Sequence, residues 1–406
     1  MSKRKKKKIP SNVAAPVELE VAAPVESEVV APVKAEITVP VALAEPFDCP
    51  AISVVIPMYN AEKFITECLE SLLAQTFTNF EVIIVDDCST DNSTAIVESY
   101  AEKFGGRLKL SHMKKNSGSA GIPRNTGITL ARGEYIRFAD ADDILLKTAL
   151  EEDFSLAKKY NADVVYHTLF YKLNVNGIEG ELASVPKYQP GDEIVLDEDL
   201  PTRIRELAGN KYYHAPWRSF SRRDFLIANE LYFPNIRSQE DIVWNYALLI
   251  YAERFLQVPS AVYFYRDNKE SLSRKEKTAA QNAKFYLNPI IFGLKSLNEF
   301  INRHKFFETE PELHYALLEN YFNSQVYHFF RNASEMSSSE FYAILKEVFG
   351  KDLDDFDVLI PALCAALAQQ QKITAVILNQ FREYVAQAEQ KIIKFQNEIN
   401  QRKNNR

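Results

Sequence analysis

At 406 residues the chain is long enough for two or three domains at roughly 100–200 residues each. It is 46% hydrophobic and 25% charged, with only 12 Gly and 18 Pro, which excludes collagen-like and wholly disordered classes. The net charge of −7 hides a basic head: Lys3 to Lys8 read KRKKKK, and the remaining 42 basic residues face 55 acidic ones, a balance of −13. An acidic body of that kind is not expected to bind nucleic acid. The head can meet an anionic membrane surface through Lys3–Lys8, or be a solvated terminus. Cys49, Cys68, Cys88 and Cys364 lie far apart without CxxC spacing, which argues against a zinc site or disulfide framework and fits a reducing cytoplasm. No run approaches the roughly 20 apolar residues of a membrane span, and no apolar core follows the basic start as a signal peptide would require.

In chain order, residues 13–44 repeat with a period of eight: VAAPVELE, VAAPVESE, VVAPVKAE, ITVPVALA. Pro16, Pro24, Pro32 and Pro40 fall in register and break helix and sheet alike, so residues 1–48 are expected to form a disordered basic head and an extended stalk. From Ala51 the pattern changes. AISVVIP and EVIIVDD read as strands buried on both faces, and AEKFITECLESLLAQ as an amphipathic helix with Phe64, Cys68 and Leu72 on one side. TDNSTAIVESYAEKF is expected to be a helix, RLKLSHM a strand, GITLA helical and EYIRFAD a strand. LLKTALEEDFSLAKKY and ADVVYHT continue the alternation. Such alternation predicts an α/β fold, a doubly wound and mostly parallel sheet, with ligands bound outside the carboxyl ends of its strands. Residues 205–275 are less regular, and beyond Lys277 the chain turns helical and rich in Phe and Tyr. From Ala362 to Arg406 there is neither Gly nor Pro, and Ile373, Ile377, Phe381 and Tyr384 start a spacing of three and four that runs to Ile399. That predicts a long amphipathic helix that packs on the body or self-associates.

Three strands therefore run into polar clusters: Pro57-Met58-Tyr59-Asn60, Asp86-Asp87-Cys88-Ser89 and Asp140-Ala141-Asp142-Asp143. Three carboxylates in four residues repel one another, and a hard divalent cation such as Mn²⁺ or Mg²⁺ relieves this while bridging to phosphates; an acidic turn or cap is the plainer reading. Asp86 and Asp87 can accept hydrogen bonds from a ribose or a base, or cap the helix expected to start at Ser89-Thr90-Asp91. Asn116 to Gly127 reads as a Gly-punctuated loop carrying Arg124, whose planar fork suits phosphate or base recognition. Glu240-Asp241 open a helix, where an acidic pair is favoured by the dipole anyway, yet a carboxylate facing an acceptor hydroxyl would be a general base. His214 is expected to be structural or substrate-contacting. Tyr212, Tyr213, Trp217 and Phe220 can stack on a sugar ring or form the core beneath it.

SVVIPMYNAEKFITECLESLLAQTFTNFEVIIVDDCSTDNST followed by PRNTGITLARGEYIRFADADD resembles the nucleotide-binding half of the family 2 glycosyltransferases. APWRSFSRRDFL, SQEDIVW and VYFYRDNKESLS are more loosely similar to the acceptor half of bacterial polysaccharide-type members. The resemblance implies a GT-A fold over 49–275 (nucleotide half 51–170, acceptor half 171–275), with a helical region over 276–406. It implies an inverting transfer from a nucleotide-diphospho-sugar, a UDP-sugar by expectation, to a glycan or lipid-linked glycan such as lipopolysaccharide or capsule. By that resemblance Pro57, Tyr59, Asn60 and Glu62 line the nucleoside pocket, Asp87 binds uracil or ribose, and Arg124 sits beside base or diphosphate. Asp140 and Asp142 form a DxD element with Asp142 the direct Mn²⁺ or Mg²⁺ ligand. Asp241, with Glu240 beside it, is the base, and Arg266 and Ser271 match an element found near the diphosphate. Two departures touch acceptor detail: Arg218 stands where Lys is common, and GSAGIPRN is a longer, Pro-containing loop. A sugar nucleotidyltransferase is disfavoured because PMYNAEKF lacks a Gly-rich phosphate loop. A non-catalytic scaffold would have no need of the paired carboxylates. The expected setting is the cytoplasm, at the inner face of the membrane if the basic head binds it.

Overall fold

The computed structural model describes residues 49–173, 180–184, 194–271, 274–333 and 337–349. The basic head, the octapeptide repeat and the expected terminal helix over 362–406 lie outside the described residues, and so does Cys364.

The chain alternates as expected through β1 (Ile52–Met58), α1 (Ile65–Leu73), β2 (Phe80–Asp86), α2 (Ser93–Ser99), β3 (Leu108–His112), α3 (Gly121–Leu130) and β4 (Tyr135–Phe138). It continues through β5 (Ile144–Leu145), α4 (Ala149–Tyr160), β6 (Val164–His167), β7 (Leu169–Leu173), β8 (Gly180–Ser184), β9 (Val195–Asp197) and α5 (Leu200–Ala208). Next come β10 (Ser219–Arg222), α6 (Arg223–Ala228), α7 (Glu240–Tyr251), β11 (Phe255–Val258) and β12 (Tyr263–Arg266). The helical stretch is α8 (Ala279–Asn288), α9 (Leu294–Asn302), α10 (Phe306–Thr309), α11 (Pro311–Ala333) and α12 (Ser338–Phe349).

Eight strands form one sheet in the order β3-β2-β1-β4-β10-β6-β11-β9. The β1–β4 pairings are parallel, as is β6 with β11, while β10 lies antiparallel between β4 and β6. The irregular stretch after residue 205 thus supplies strands to the same sheet. A second sheet, β5-β12-β7-β8, carries β12 against β5. That pairing folds β12 beside the acidic turn that follows β4.

Continuous apolar strands make sense because both faces are covered. Ile52, Val54 and Ile56 of β1 enter a core with α1 and α4, whereas Val55 enters a second core with α3, α7, α9 and α11. Helix α3 lies close on β1 because Gly127 has no side chain: a Cβ there would sit 2.2 Å from Val55 Cγ1. Gly133 is less forgiving, since its Cβ would meet main-chain atoms, Ser53 N at 2.5 Å and Ile52 C at 2.6 Å.

Three boundaries differ from the sequence reading. Helix α3 starts at Gly121, so Arg124 and Asn125 are helical and not part of a loop; Pro123 is tolerated because the first turn needs no donor there. Helix α2 is short and starts at Ser93, and Asn92 before it makes no side-chain cap. Ile144–Leu145 pairs as a strand before α4, which begins only at Ala149.

Gly133→Ala is expected to destabilise the fold by about 1–3 kcal/mol in urea denaturation, since main chain cannot move aside. Gly127→Ala should cost a similar amount and be partly rescued by Val55→Ala in a double-mutant cycle, because there the obstacle is a side chain.

Candidate active site

The carboxyl ends of β1, β2 and β4 and the N-termini of α3 and α7 meet at one edge of the sheet. Arg124, in the first turn of α3, is 5% exposed. Its Nη2 donates to Asp140 Oδ1 at 2.7 Å, and its Nη1 lies 3.8 Å from Glu240 Oε1 at the start of α7. Burial works against the Arg124 charge, and Asp140 and Glu240 outweigh it, so the guanidinium titrates even higher than usual. Its ring-face neighbour is Phe233, 5.3 Å from the guanidinium carbon. Asn125 fixes that neighbour: Nδ2 donates to the Phe233 carbonyl and Oδ1 accepts the Phe233 N–H, both at 2.8 Å. Glycine at 121 admits Glu240, whose Cγ lies 2.8 Å from where a Cβ would stand.

Glu240 is buried and its carboxyl is raised by burial, with Arg124 pulling the other way. Asp241 is pushed up to about 7, first by burial and then by the Glu240 charge, with Arg124 opposing. A carboxyl with that affinity is half-protonated near neutral pH and can accept a proton there. The acidic pair is thus both the first turn of a helix and part of the cluster around Arg124 and Asp140.

The three aspartates after β4 have different surroundings. Asp140 pairs with Arg124, and its N–H donates to Tyr263 Oη at 2.9 Å. Asp143 is fully buried, accepts the Arg266 N–H at 2.7 Å, and is raised well above the usual carboxylate range by burial and by Asp142 and Asp140. The Tyr263 hydroxyl also lies against its carboxyl. Asp142 is raised by burial and then by Asp140, and its Oδ2 accepts from Asn268 Nδ2 at 2.8 Å. Cys68 beneath the turn registers the same field: burial raises its thiol most, followed by Asp143, Asp142 and Asp140.

Arg266 is buried and grips this turn: Nε donates to the Asp142 carbonyl and Nη2 to Glu67 Oε2, each at 2.8 Å, with the guanidinium over Phe64. Ser271 closes the following turn, its N–H donating to the Asn268 carbonyl at 3.3 Å. Pro57 is partly exposed on β1, and Tyr59 is 53% exposed just beyond it. Asn60 and Glu62 fasten two loops together: Asn60 Oδ1 accepts the Thr90 N–H at 2.7 Å, and Glu62 Oε2 accepts the Asn92 N–H at 3.0 Å. Asp87 is buried, raised by burial, and accepts the Ser117 N–H at 2.9 Å and its hydroxyl at 2.9 Å. Neither Asp86 nor Asp87 caps α2. Asp86 Oδ1 accepts the Ser89 N–H and its Oδ2 faces His112, while Asp91 holds Ser93.

The aromatic segment divides. Trp217 stacks on Tyr263 at 4.6 Å and on Tyr265 at 5.4 Å, Phe220 stacks on Tyr135 at 4.9 Å, and Tyr212 is buried, so these three are core. Tyr213 remains 44% exposed. His214 lies against Tyr246 and burial lowers it to about 4, so it is neutral near pH 7. Arg218 is fully buried beneath Trp217 and Phe170 and donates to the Thr168 carbonyl at 3.1 Å.

Among the described residues no group of three or more His, Cys, Asp or Glu is arranged to hold a metal by itself. Asp142 and Asp140 offer two carboxylates, which fits Mg²⁺ or Mn²⁺ completed by diphosphate oxygens and water. Sequence reasoning passed over Tyr263, Asn268 and Ser117, the partners of Asp140, Asp142 and Asp87. Tyr263 and Asn268 stand in VYFYRDNKESLS on either side of Arg266, close enough to have been suspected.

Arg124→Met should lower stability by about 3–5 kcal/mol near pH 8, because it strands two carboxylates around a buried gap. Losing the cation raises the folded-state affinities of Glu240 and Asp241 further above their unfolded values. The deficit should therefore shrink toward pH 5 in urea melts, where those groups bind protons in the fold.

The model of glycosyl transferase family 2 matches residues 53–214. Staphylococcus aureus TarS, a poly(ribitol-phosphate) β-N-acetylglucosaminyltransferase, is 32% identical over 268 residues, 62% of this chain and 44% of TarS. The chain thus spans less than half the length of that relative. A crystal structure of S. aureus TarS 1-349 with UDP-GlcNAc aligns over 79% of this chain and 92% of that one, at 25% identity and a TM-score of 0.49. The glycosyltransferase YibD of Escherichia coli is 32% identical over 255 residues, which cover 62% of this chain and 71% of YibD. With a family match across the strands that build the site and a relative covered over most of its length, the chain belongs to glycosyltransferase family 2.

Proposed function

We propose that the protein is an inverting, metal-dependent glycosyltransferase that moves a sugar from a UDP-sugar to a hydroxyl of a bacterial surface glycan. The observation that carries this reading is the meeting of the Asp140–Asp143 turn and the Glu240–Asp241 pair around the buried cation of Arg124. Donor-side carboxylates and a candidate base thereby share one edge of the sheet. The kinship with TarS, whose name gives a sugar-transferring activity on a polyol-phosphate glycan, supports a surface-glycan acceptor. A lipopolysaccharide or capsule chain is the same class of acceptor.

The exposed ring of Tyr59 and the neighbouring Pro57 frame the nucleoside end, on a loop that Asn60, Glu62 and Asp91 tie to the loop after β2. Asp87 sets the Ser117 loop at the same end. A divalent cation bound by Asp142 and assisted by Asp140 would neutralise the diphosphate as its bond to the sugar breaks. Arg266 keeps the Asp142 main chain fixed so that its carboxylate points consistently. Asp241, pushed up to about 7, takes the proton from the acceptor hydroxyl as that oxygen attacks. One displacement with one base inverts the anomeric carbon, and no covalent nucleophile is needed. Tyr213 offers an exposed aromatic face to the acceptor. No helix among the described residues is long and apolar enough to cross a membrane; attachment through Lys3–Lys8 and self-association through the terminal helix remain part of the proposal.

The test is to incubate the purified full chain with Mn²⁺ and a panel of UDP-, GDP- and TDP-sugars and follow nucleotide release. One UDP-sugar should stand out; no turnover and no metal-dependent nucleotide binding with any donor would overturn the reading. Asp241→Asn should cut transfer by at least about 100-fold while leaving UDP affinity unchanged. Wild-type kcat/KM should rise with pH through about 7 as Asp241 loses its proton. Removing residues 2–8 should weaken binding to anionic vesicles, as measured by co-sedimentation.

A further inference from the structure

The acidic turn is joined to the turn after β12 by a side-chain bond to a carboxylate oxygen of Asp142. Asn268 Nδ2 donates to Asp142 Oδ2 at 2.8 Å. The amide cannot simply rotate, because Asn268 Oδ1 accepts the Glu270 N–H at 2.9 Å. A flip would break that bond and set a carbonyl oxygen against a carboxylate oxygen. Asn268 also organises the segment around it: its N–H donates to the Arg266 carbonyl at 2.9 Å and its carbonyl accepts the Ser271 N–H at 3.3 Å. At the near end, the Arg266 N–H and Nε hold Asp143 and the Asp142 carbonyl. At the far end, Glu270 pairs with Lys63 at 2.9 Å, in the loop between β1 and α1. Residues 266–271 therefore run from the acidic turn to the nucleoside-side loop, with Asn268 as the one side-chain bond from this segment to a carboxylate oxygen of Asp142 among the described residues.

A hydrogen-bond donor and a divalent cation both use the lone pairs of that carboxylate. The NH₂ group supplies only a partial positive charge, enough to orient the carboxylate and too little to neutralise Asp142 beside Asp140. We infer that Asn268 is a stand-in for the cation: it holds Asp142 before the metal arrives, is displaced when the metal binds, and so releases residues 267–271 from the acidic turn. Cation binding is then coupled to the freedom of a segment that spans the donor side of the site. This rests on the reading of Asp142 as a metal ligand.

The experiment is a Mn²⁺ titration of the full chain, followed by the electron paramagnetic resonance signal of free Mn²⁺, with and without UDP. Hydrogen exchange of residues 267–271 is measured in parallel. Asn268→Ala is expected to bind Mn²⁺ about fivefold tighter, the factor set by losing one competing hydrogen bond. Mn²⁺ should accelerate exchange at Glu270 and Ser271 in the unaltered protein, while in Asn268→Ala exchange is already fast and Mn²⁺ changes nothing. Equal affinity overturns the inference, and so does weaker binding, which would make Asn268 a ligand. Asp142→Ala separates the two levels. If it leaves Mn²⁺ affinity unchanged, the metal-ligand reading fails; if it weakens binding while Asn268→Ala does not strengthen it, only the stand-in role fails.

Discussion

The site depends on one buried cation. Arg124 sits between Asp140 from the end of β4 and Glu240 from the start of α7, with almost no solvent to share its charge. Taking such ions out of water is expensive, and their attraction offsets the cost only when every partner is in place. Three segments distant in sequence are therefore constrained together: the start of α3, the acidic turn and the start of α7. The positions around them follow from this. Gly121 leaves room for Glu240, and Asn125 clamps the Phe233 main chain beside the guanidinium.

The charge balance also grades the carboxylates. Arg124 reaches Asp140 and Glu240 directly, so Asp241 feels mainly burial and the neighbouring negative charge, and its proton affinity climbs to neutral pH. Around the acidic turn the same principle acts with a different cation. The side chain of Arg266 is spent on the Asp142 carbonyl and on Glu67. It stiffens the main chain of the turn without forming an ion pair there with the Asp142 carboxylate.

Much of this was legible in the sequence where local pattern decides. Buried strands announced themselves as apolar runs, and their ends marked the site because a parallel sheet collects its loops on one edge. What escaped was set by long-range pairing. The four residues of β10, SFSR, carry no strand signature, yet they complete the sheet between β4 and β6. Arg124 looked like a loop residue because glycines and a proline surround it, and only packing on Val55 shows that Gly127 serves helix–strand contact. For Asn60, Glu62 and Asp87, read from the resemblance as pocket residues, the sequence did not show the bonds their side chains make to neighbouring loops. Trp217 could be read as a sugar platform or as core, and its stacking on Tyr263 and Tyr265 places it in the core.

The acidic triplet shows why composition alone could not assign roles. Asp140, Asp142 and Asp143 are the same residue type within four positions, and β4 delivers them to one turn. Asp143 points into the core, where its charge is unfavourable, and it joins the two sheets by accepting the Arg266 N–H. Asp140 has its charge matched by Arg124 through one oxygen. Asp142 accepts from the neutral amide of Asn268 and also feels the charge of Arg266. On the proposed function, a divalent cation would meet in Asp142 a carboxylate with no direct ion pair among the described residues. The side chains around the turn, more than the motif itself, set what each aspartate can do.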